Sequence, residues 1–130
     1  MYDYTSYLNE KYNLPFEESL QIYDQLMTTL NFNDADTKML WNKMIESAMN
    51  YAAIRSNWLL LNTGGRSEKD KSRTSSHNSF ITWLNALGRH QEKSGKSAAW
   101  RKQLGDEKEN RKRIGDFACF VAYIYGINAR

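Results

Sequence analysis

Arg55, Arg73, His77, Arg113 and Asp116 stand at positions whose helical neighbours are apolar, and they are the residues of this sequence best placed to do chemistry. At about 100° of turn per residue, Arg73 and His77 share one stripe with Phe80, Leu84 and Leu87 in the stretch "SRTSSHNSFITWLNALGRH". Arg55 sits in the middle of the face formed by Trp41, Met44, Ile45, Ala48, Ala52 and Leu59. Arg113 projects between Phe117 and Phe120, and Asp116 lies beside Phe120 on the flank shared with Tyr123 and Ile127. Removing such charges from water is expensive unless they are paired. Two arrangements satisfy that demand. Either each charge finds an internal partner, with Asp116 placed to take Arg55 or Arg113, or Arg55, Arg73, His77 and Arg113 converge near one bundle end with too few carboxylates. The second arrangement is a basic pocket for phosphate, a nucleotide or an acidic side chain.

A second basic set consists of Arg101, Lys102, Lys108, Arg111 and Lys112, with Trp100 adjacent as a possible stacking platform for nucleic-acid bases. Against that use, Glu107 with Arg111 and Glu109 with Arg113 have the spacing of helical ion pairs, which would neutralise much of the stripe.

Other chemistries lack their parts. His77 and His90 are 13 residues apart on one helix, nearly on opposite sides, so no metal site is expected. Cys119 lies inside "FACFVAY", where a small buried thiol is the ordinary outcome. It belongs with Gly115, Ala122 and Gly126 to a seam of small side chains that lets another helix approach closely, within the chain first and in a dimer second. No glycine-rich phosphate loop, nucleophile elbow or paired-carboxylate pattern is present, so the sequence implies no cofactor and no catalytic set.

The elements that must carry these residues are helices. "NLPFEESLQIYDQLMTTL" has proline at the first helical position and glutamates in the first turn, predicting a helix from Pro15 to Leu30. Tyr4, Tyr7, Leu8 and Tyr12 suggest a short helix before it. A second runs unbroken from Asp36 to Asn62, and the paired glycines of "NTGGRSEKDKS" end it and open a charged connection. Ser67 to Asp70 match a capping box that already starts helix three, which closes at Gly95 in the left-handed conformation. A short helical turn, "AAWRKQL", ends at Gly105, and Asp106 with Glu109 opens a last helix whose first half is charged and whose second half is apolar.

A chain of 130 residues with 41% apolar and 25% charged content has the size of one ordinary domain. With one proline, few glycines and no strand-like alternation, the fold class is all-α: a single helical bundle of four main helices plus one or two short ones. The apolar run Phe117 to Ile127 is too short to span a membrane, and a lone cysteine and an amino terminus without secretory character predict a cytoplasmic setting. Charge is unevenly distributed, with net −4 over residues 1–65 and net +7 over 66–130, so the second half suits an anionic partner.

The pattern "HNSFITWLNALGRH" followed by "WRKQLGDEKENRKRIGDFACFVAYIYGINAR" resembles a family of small proteins, catalogued as a domain of unknown function, from Gram-positive bacteria and their mobile elements. The resemblance covers residues 72–130 and implies a bacterial, cytosolic protein of phage or plasmid association, with no activity to transfer. The expected function is a non-enzymatic helical interaction or regulatory module whose partner is a protein or a second copy; the alternative is a nucleic-acid-binding accessory protein.

Overall fold

The computed structural model describes residues 13–57, 61–106 and 111–128, and all the regular structure in them is helical. Five helices follow in order: α1 (Phe16–Thr29), α2 (Ala35–Ser56), α3 (Thr63–Lys93), α4 (Ala99–Gln103) and α5 (Arg111–Asn128). This is the all-α bundle that the periodicity predicts, with four longer helices and one short one. The proposed N-terminal turn at Tyr4 to Tyr12, Leu59, Lys108 and the pairs made by Glu107 and Glu109 lie outside the described residues.

α2 and α3 run antiparallel, tied by Asp34 and His90 at one end and by Tyr51 and His77 near the other. α5 packs into the groove beside α2, and α1 lies across α5 and α4. The core follows from the apolar stripes: Met44, Ala48 and Ala52 of α2 meet Phe80, Leu84 and Leu87 of α3 and Ile114, Phe117 and Phe120 of α5, all fully buried. Phe117 stacks on Phe120 at 6.4 Å.

Two boundaries differ from the expectation. α2 ends at Ser56 rather than Asn62, because the side chains of Ser56 and Asn57 turn back to the Ala53 carbonyl at 3.2 and 2.9 Å and compete with the backbone ladder. The paired glycines do not terminate a helix; they lie in the first turn of α3. Asn62 caps that turn, its side chain accepting the Gly65 N–H at 2.7 Å. First-turn N–H groups need a partner from outside the helix in any case, so the cap offsets glycine's cost of about 1 kcal/mol per residue. The capping-box pattern at Ser67 therefore falls in the interior of the helix.

At the other end of α3 the sequence reads through correctly. Gly95 has φ +80° and Gly105 φ +77°, left-handed values that strain any residue with a β-carbon. Between them α4 turns Trp100 into the core, where its indole N–H donates to Gln91 Oε1 at 2.8 Å. The Gln91 amide in turn donates to Thr29 Oγ1 at 2.7 Å, joining α1, α3 and α4 through one buried side chain.

Candidate functional site

The inward-facing charges form a chain of contacts across the bundle. Asp116 of α5 has no exposed surface; its Oδ2 accepts the backbone N–H groups of Asn13 and Leu14 at 2.8 and 3.1 Å. Its Oδ1 lies 2.8 Å from Nη2 of Arg55, itself 3% exposed. Arg55 Nη1 donates to the Tyr51 hydroxyl one helical turn earlier, at 3.2 Å. The Tyr51 ring meets His77 edge-on at 5.3 Å between centroids. His77 Nε2 lies 2.9 Å from the Arg111 carbonyl, and because a carbonyl only accepts, that nitrogen carries the proton.

Gly115 is what lets this chain close. A β-carbon there would lie 2.7 Å from the Tyr51 hydroxyl and 3.0 Å from Arg55 Nη1. Of the small-residue seam, Gly115, Cys119 and Ala122 are buried within the chain and Gly126 is half-buried; at Gly115 the helix that approaches is α2.

Electrostatically the two ends of the chain differ. Burial pushes the Asp116 carboxyl above the usual carboxylate range, opposed by the Arg55 guanidinium and the two amides. Arg55 keeps its proton at any ordinary pH, and its guanidinium favours the charged form of the carboxyl it faces. At the other end, burial lowers the proton affinity of His77. The Arg111 carbonyl opposes this, while the charges of Arg111, Arg55 and Arg73, brought in from three helices, reinforce it.

The predicted members separate into two groups. Arg55, His77 and Asp116 join in the buried chain, with Arg73 half-exposed beside it. Arg113 does not converge on them. It turns toward α1 and α4, ion-paired with Glu18 and donating to the Gln103 carbonyl at 2.8 Å and the Asn13 carbonyl at 3.2 Å. Glu18 is displaced below the usual carboxylate range by that arginine. Three helical steps from Asp116, Arg113 meets the other side of the incoming Asn13 segment, a difference that helical spacing alone does not reveal.

The second basic set also divides. Arg101 braces α4, its Nε donating to Asn85 Oδ1 at 2.6 Å and its Nη1 to the Gly105 carbonyl at 2.7 Å. Trp100 is 1% exposed, which removes it as a stacking platform: an indole locked into the core gives its hydrogen bond to Gln91, not to a base. Lys102, Arg111 and Lys112 are exposed, and Lys108 lies outside the described residues.

One constellation escapes sequence inspection. Asp34, the α2 N-cap, accepts from Thr37 N at 3.1 Å and Thr37 Oγ1 at 2.7 Å, and its Oδ2 is 2.6 Å from His90 Nε2. Hydrogen bonds from Thr37 and then His90 hold its carboxyl down at about 2. The pair borders a polar cavity of about 260 Å³ with Ser94 and Lys96 among its walls. A serine, a histidine and an aspartate in one cavity invite a nucleophilic reading, but the geometry serves capping. Ser94 Oγ donates to the His90 carbonyl at 3.0 Å, and the N–H groups of Gly95 and Lys96 bond to the Glu92 and Gln91 carbonyls, so neither of these two backbone amides is available to hold an oxyanion. Asp34 and His90 are 56 residues apart, a pairing that no local spacing in the sequence reveals.

These titrations predict an acid profile in two steps. A histidine whose folded proton affinity is lowered binds fewer protons folded than unfolded, so its contribution is complete above about pH 6.5 and is lost as pH falls through the folded value. Asp34 acts lower, its contribution complete above 3.8 and lost as pH falls through about 2. Urea midpoints measured from pH 8 downward should start to fall below about pH 6.5 in the wild type. His77→Gln should stay flat until the carboxylates titrate; an identical onset in both proteins would exclude His77 as the first group.

No known protein family, curated protein or solved structure matches this chain.

Proposed function

We propose that the chain is a non-enzymatic helical interaction module that receives an anionic group of a protein partner where α3 and the first turn of α5 meet. The observation that carries this reading is the position of His77, bonded through Nε2 to the Arg111 carbonyl of α5 and backed by Tyr51 and Arg55 of α2, with Arg73 one helical turn before it on α3. The innermost guanidinium is held against Asp116, whereas Arg111 is exposed and Arg73 half-exposed, so positive potential is presented outward from a rigid base. Guanidinium forks suit carboxylates and phosphates, while Cys119 is buried and the Ser94 hydroxyl caps α3. Nucleic acid is the weaker reading, since Arg101 is engaged within the fold and Trp100 is enclosed.

The test is fluorescence anisotropy with a labelled glutamate-rich peptide and labelled DNA, single- and double-stranded, at low and physiological salt. Peptide binding that is abolished by Arg73→Glu with Arg111→Glu, and little changed by Lys102→Glu, is expected. Binding that depends on Lys102 and not on Arg73 or Arg111, or DNA binding without peptide binding, would overturn the reading.

A further inference from the structure

We propose that the groove between α2 and α3 on the side of Trp83 binds a neutral saccharide, with the indole as its stacking platform. The site is separate from the charged cluster, and none of the cluster's residues lines it.

Two cavities adjoin here, of about 730 and 270 Å³. They share Ser75, Ser79 and Trp83, which recur at four-residue steps and so form one line along α3. The larger lies over the outer face of α3, and the smaller lies in the cleft between α3 and α2. The antiparallel register set by Asp34 with His90 and by Tyr51 with His77 brings Ser47 opposite Ser79 and Asn50 opposite Ser76. From Ser75 to Trp83 the line runs about 12 Å, enough for a short oligosaccharide.

The composition of the walls selects the ligand. Apart from Trp83, every side chain that lines the two cavities is polar or charged. The charges cancel, with Lys43 and Lys71 set against Glu46 and Asp70. A polyanion gains little from such a surface, and an apolar ligand finds a single ring. Serine hydroxyls and asparagine amides both donate and accept, as sugar hydroxyls do. Ser47 and Thr82 direct their hydroxyl hydrogens to the carbonyls of Lys43 and Asn78, at 3.1 and 3.0 Å, which leaves their oxygens as acceptors. Asn50, Ser75, Asn78 and Ser79 are exposed along the groove.

Trp83 turns this hydroxyl-lined face into a site. Its side chain is half-buried, packs against the core and borders both cavities. A pyranose presents C–H groups on a ring face and hydroxyls around its rim. It can lay the C–H face on an indole while the rim meets serines and asparagines. Because core packing already holds the indole, little side-chain freedom is lost when a sugar stacks on it.

The experiment is an NMR titration of the isotope-labelled full chain, read at the indole N–H resonances of its four tryptophans. Trp83→Phe assigns the relevant one. The probes are maltotriose, cellotriose and triacetylchitotriose at millimolar concentration, with glycerol and a sulfated trisaccharide as controls. At least one neutral probe should shift the Trp83 resonance saturably and leave the other indoles in place. Asn50→Ala should raise its Kd about tenfold, the scale of one hydrogen bond. Ser79→Leu, at an exposed position on the line that both cavities share, should abolish the shift with the melting temperature little changed.

Absence of a saturable Trp83 shift with every neutral probe would overturn the proposal. So would a shift that glycerol reproduces, which reports a general solvent effect, or one that survives Ser79→Leu in the folded protein. Tighter binding of the sulfated trisaccharide would overturn the neutral class and assign recognition to Lys43 and Lys71.

Discussion

Asp116→Ala should lower the unfolding free energy by about 3–5 kcal/mol, the usual cost of leaving one member of a buried ion pair without its partner. Arg55 would remain 3% exposed with a charge it cannot give up, and the N–H groups of Asn13 and Leu14 would lose their acceptor. Arg55→Ala should be comparably severe, because it strands a carboxylate with no exposed surface. The double variant should cost clearly less than the two single losses added together, since neither charge is then left alone. Urea unfolding of the four proteins measures this, and strict additivity would mean that the two residues do not act as a pair. Replacing both with well-packed apolar residues need not destabilise, because the pair's desolvation offsets much of its attraction.

The second large effect belongs to Gly115. Alanine there places a carbon 2.7 Å from the Tyr51 hydroxyl and 3.2 Å from its Cζ, so the ring or α5 itself must move. Overpacking of this kind costs about 1–3 kcal/mol. Because the displaced hydroxyl accepts from Arg55, the upper part of that range is expected. Tyr51→Phe in the Gly115→Ala background should recover part of the loss, although Tyr51→Phe alone is destabilising. Thermal melts compare the three variants, and the solution mass should stay constant throughout, since the helix that Gly115 admits is α2 of the same chain. A change of mass with an unchanged melting temperature would place the seam between two chains instead.

Much of this was legible from periodicity. Arg55, His77 and Asp116 break apolar stripes at helical spacing, and a charge on a stripe must be buried with something, so a polar cluster was readable before any coordinates. Its membership was not. Arg113 and Asp116 are three residues apart on one face, and helical geometry alone cannot tell which of them turns to α2 and which to α1. The decision lies with Asn13, whose N–H goes to Asp116 and whose carbonyl takes Arg113, contacts that span 103 and 100 residues. The same limit hid Glu18 as the partner of Arg113 and His90 as the partner of Asp34. Trp100 was misread for a related reason: in a short stretch with only "AAWRKQL" to judge by, no periodicity separates a buried indole from an exposed one. The start of α3 failed differently, because the glycines were weighed as helix breakers while Asn62, a good capping residue, stood two positions before the first of them.

The account divides the charged cluster into an inner pair that supports the fold and an outer pair of arginines that serves recognition. That division is tested most directly by urea unfolding of Arg73→Ala with Arg111→Ala beside the wild type. Arg111 is exposed and Arg73 half-exposed, and substitutions at such positions usually change stability by no more than about 0.5 kcal/mol each, so the double variant should unfold within roughly 1 kcal/mol of the wild type while losing its anionic ligand. A loss of about 3 kcal/mol or more, the scale of a broken buried pair, would show that Arg73 and Arg111 are structural members of the same network and would contradict the division.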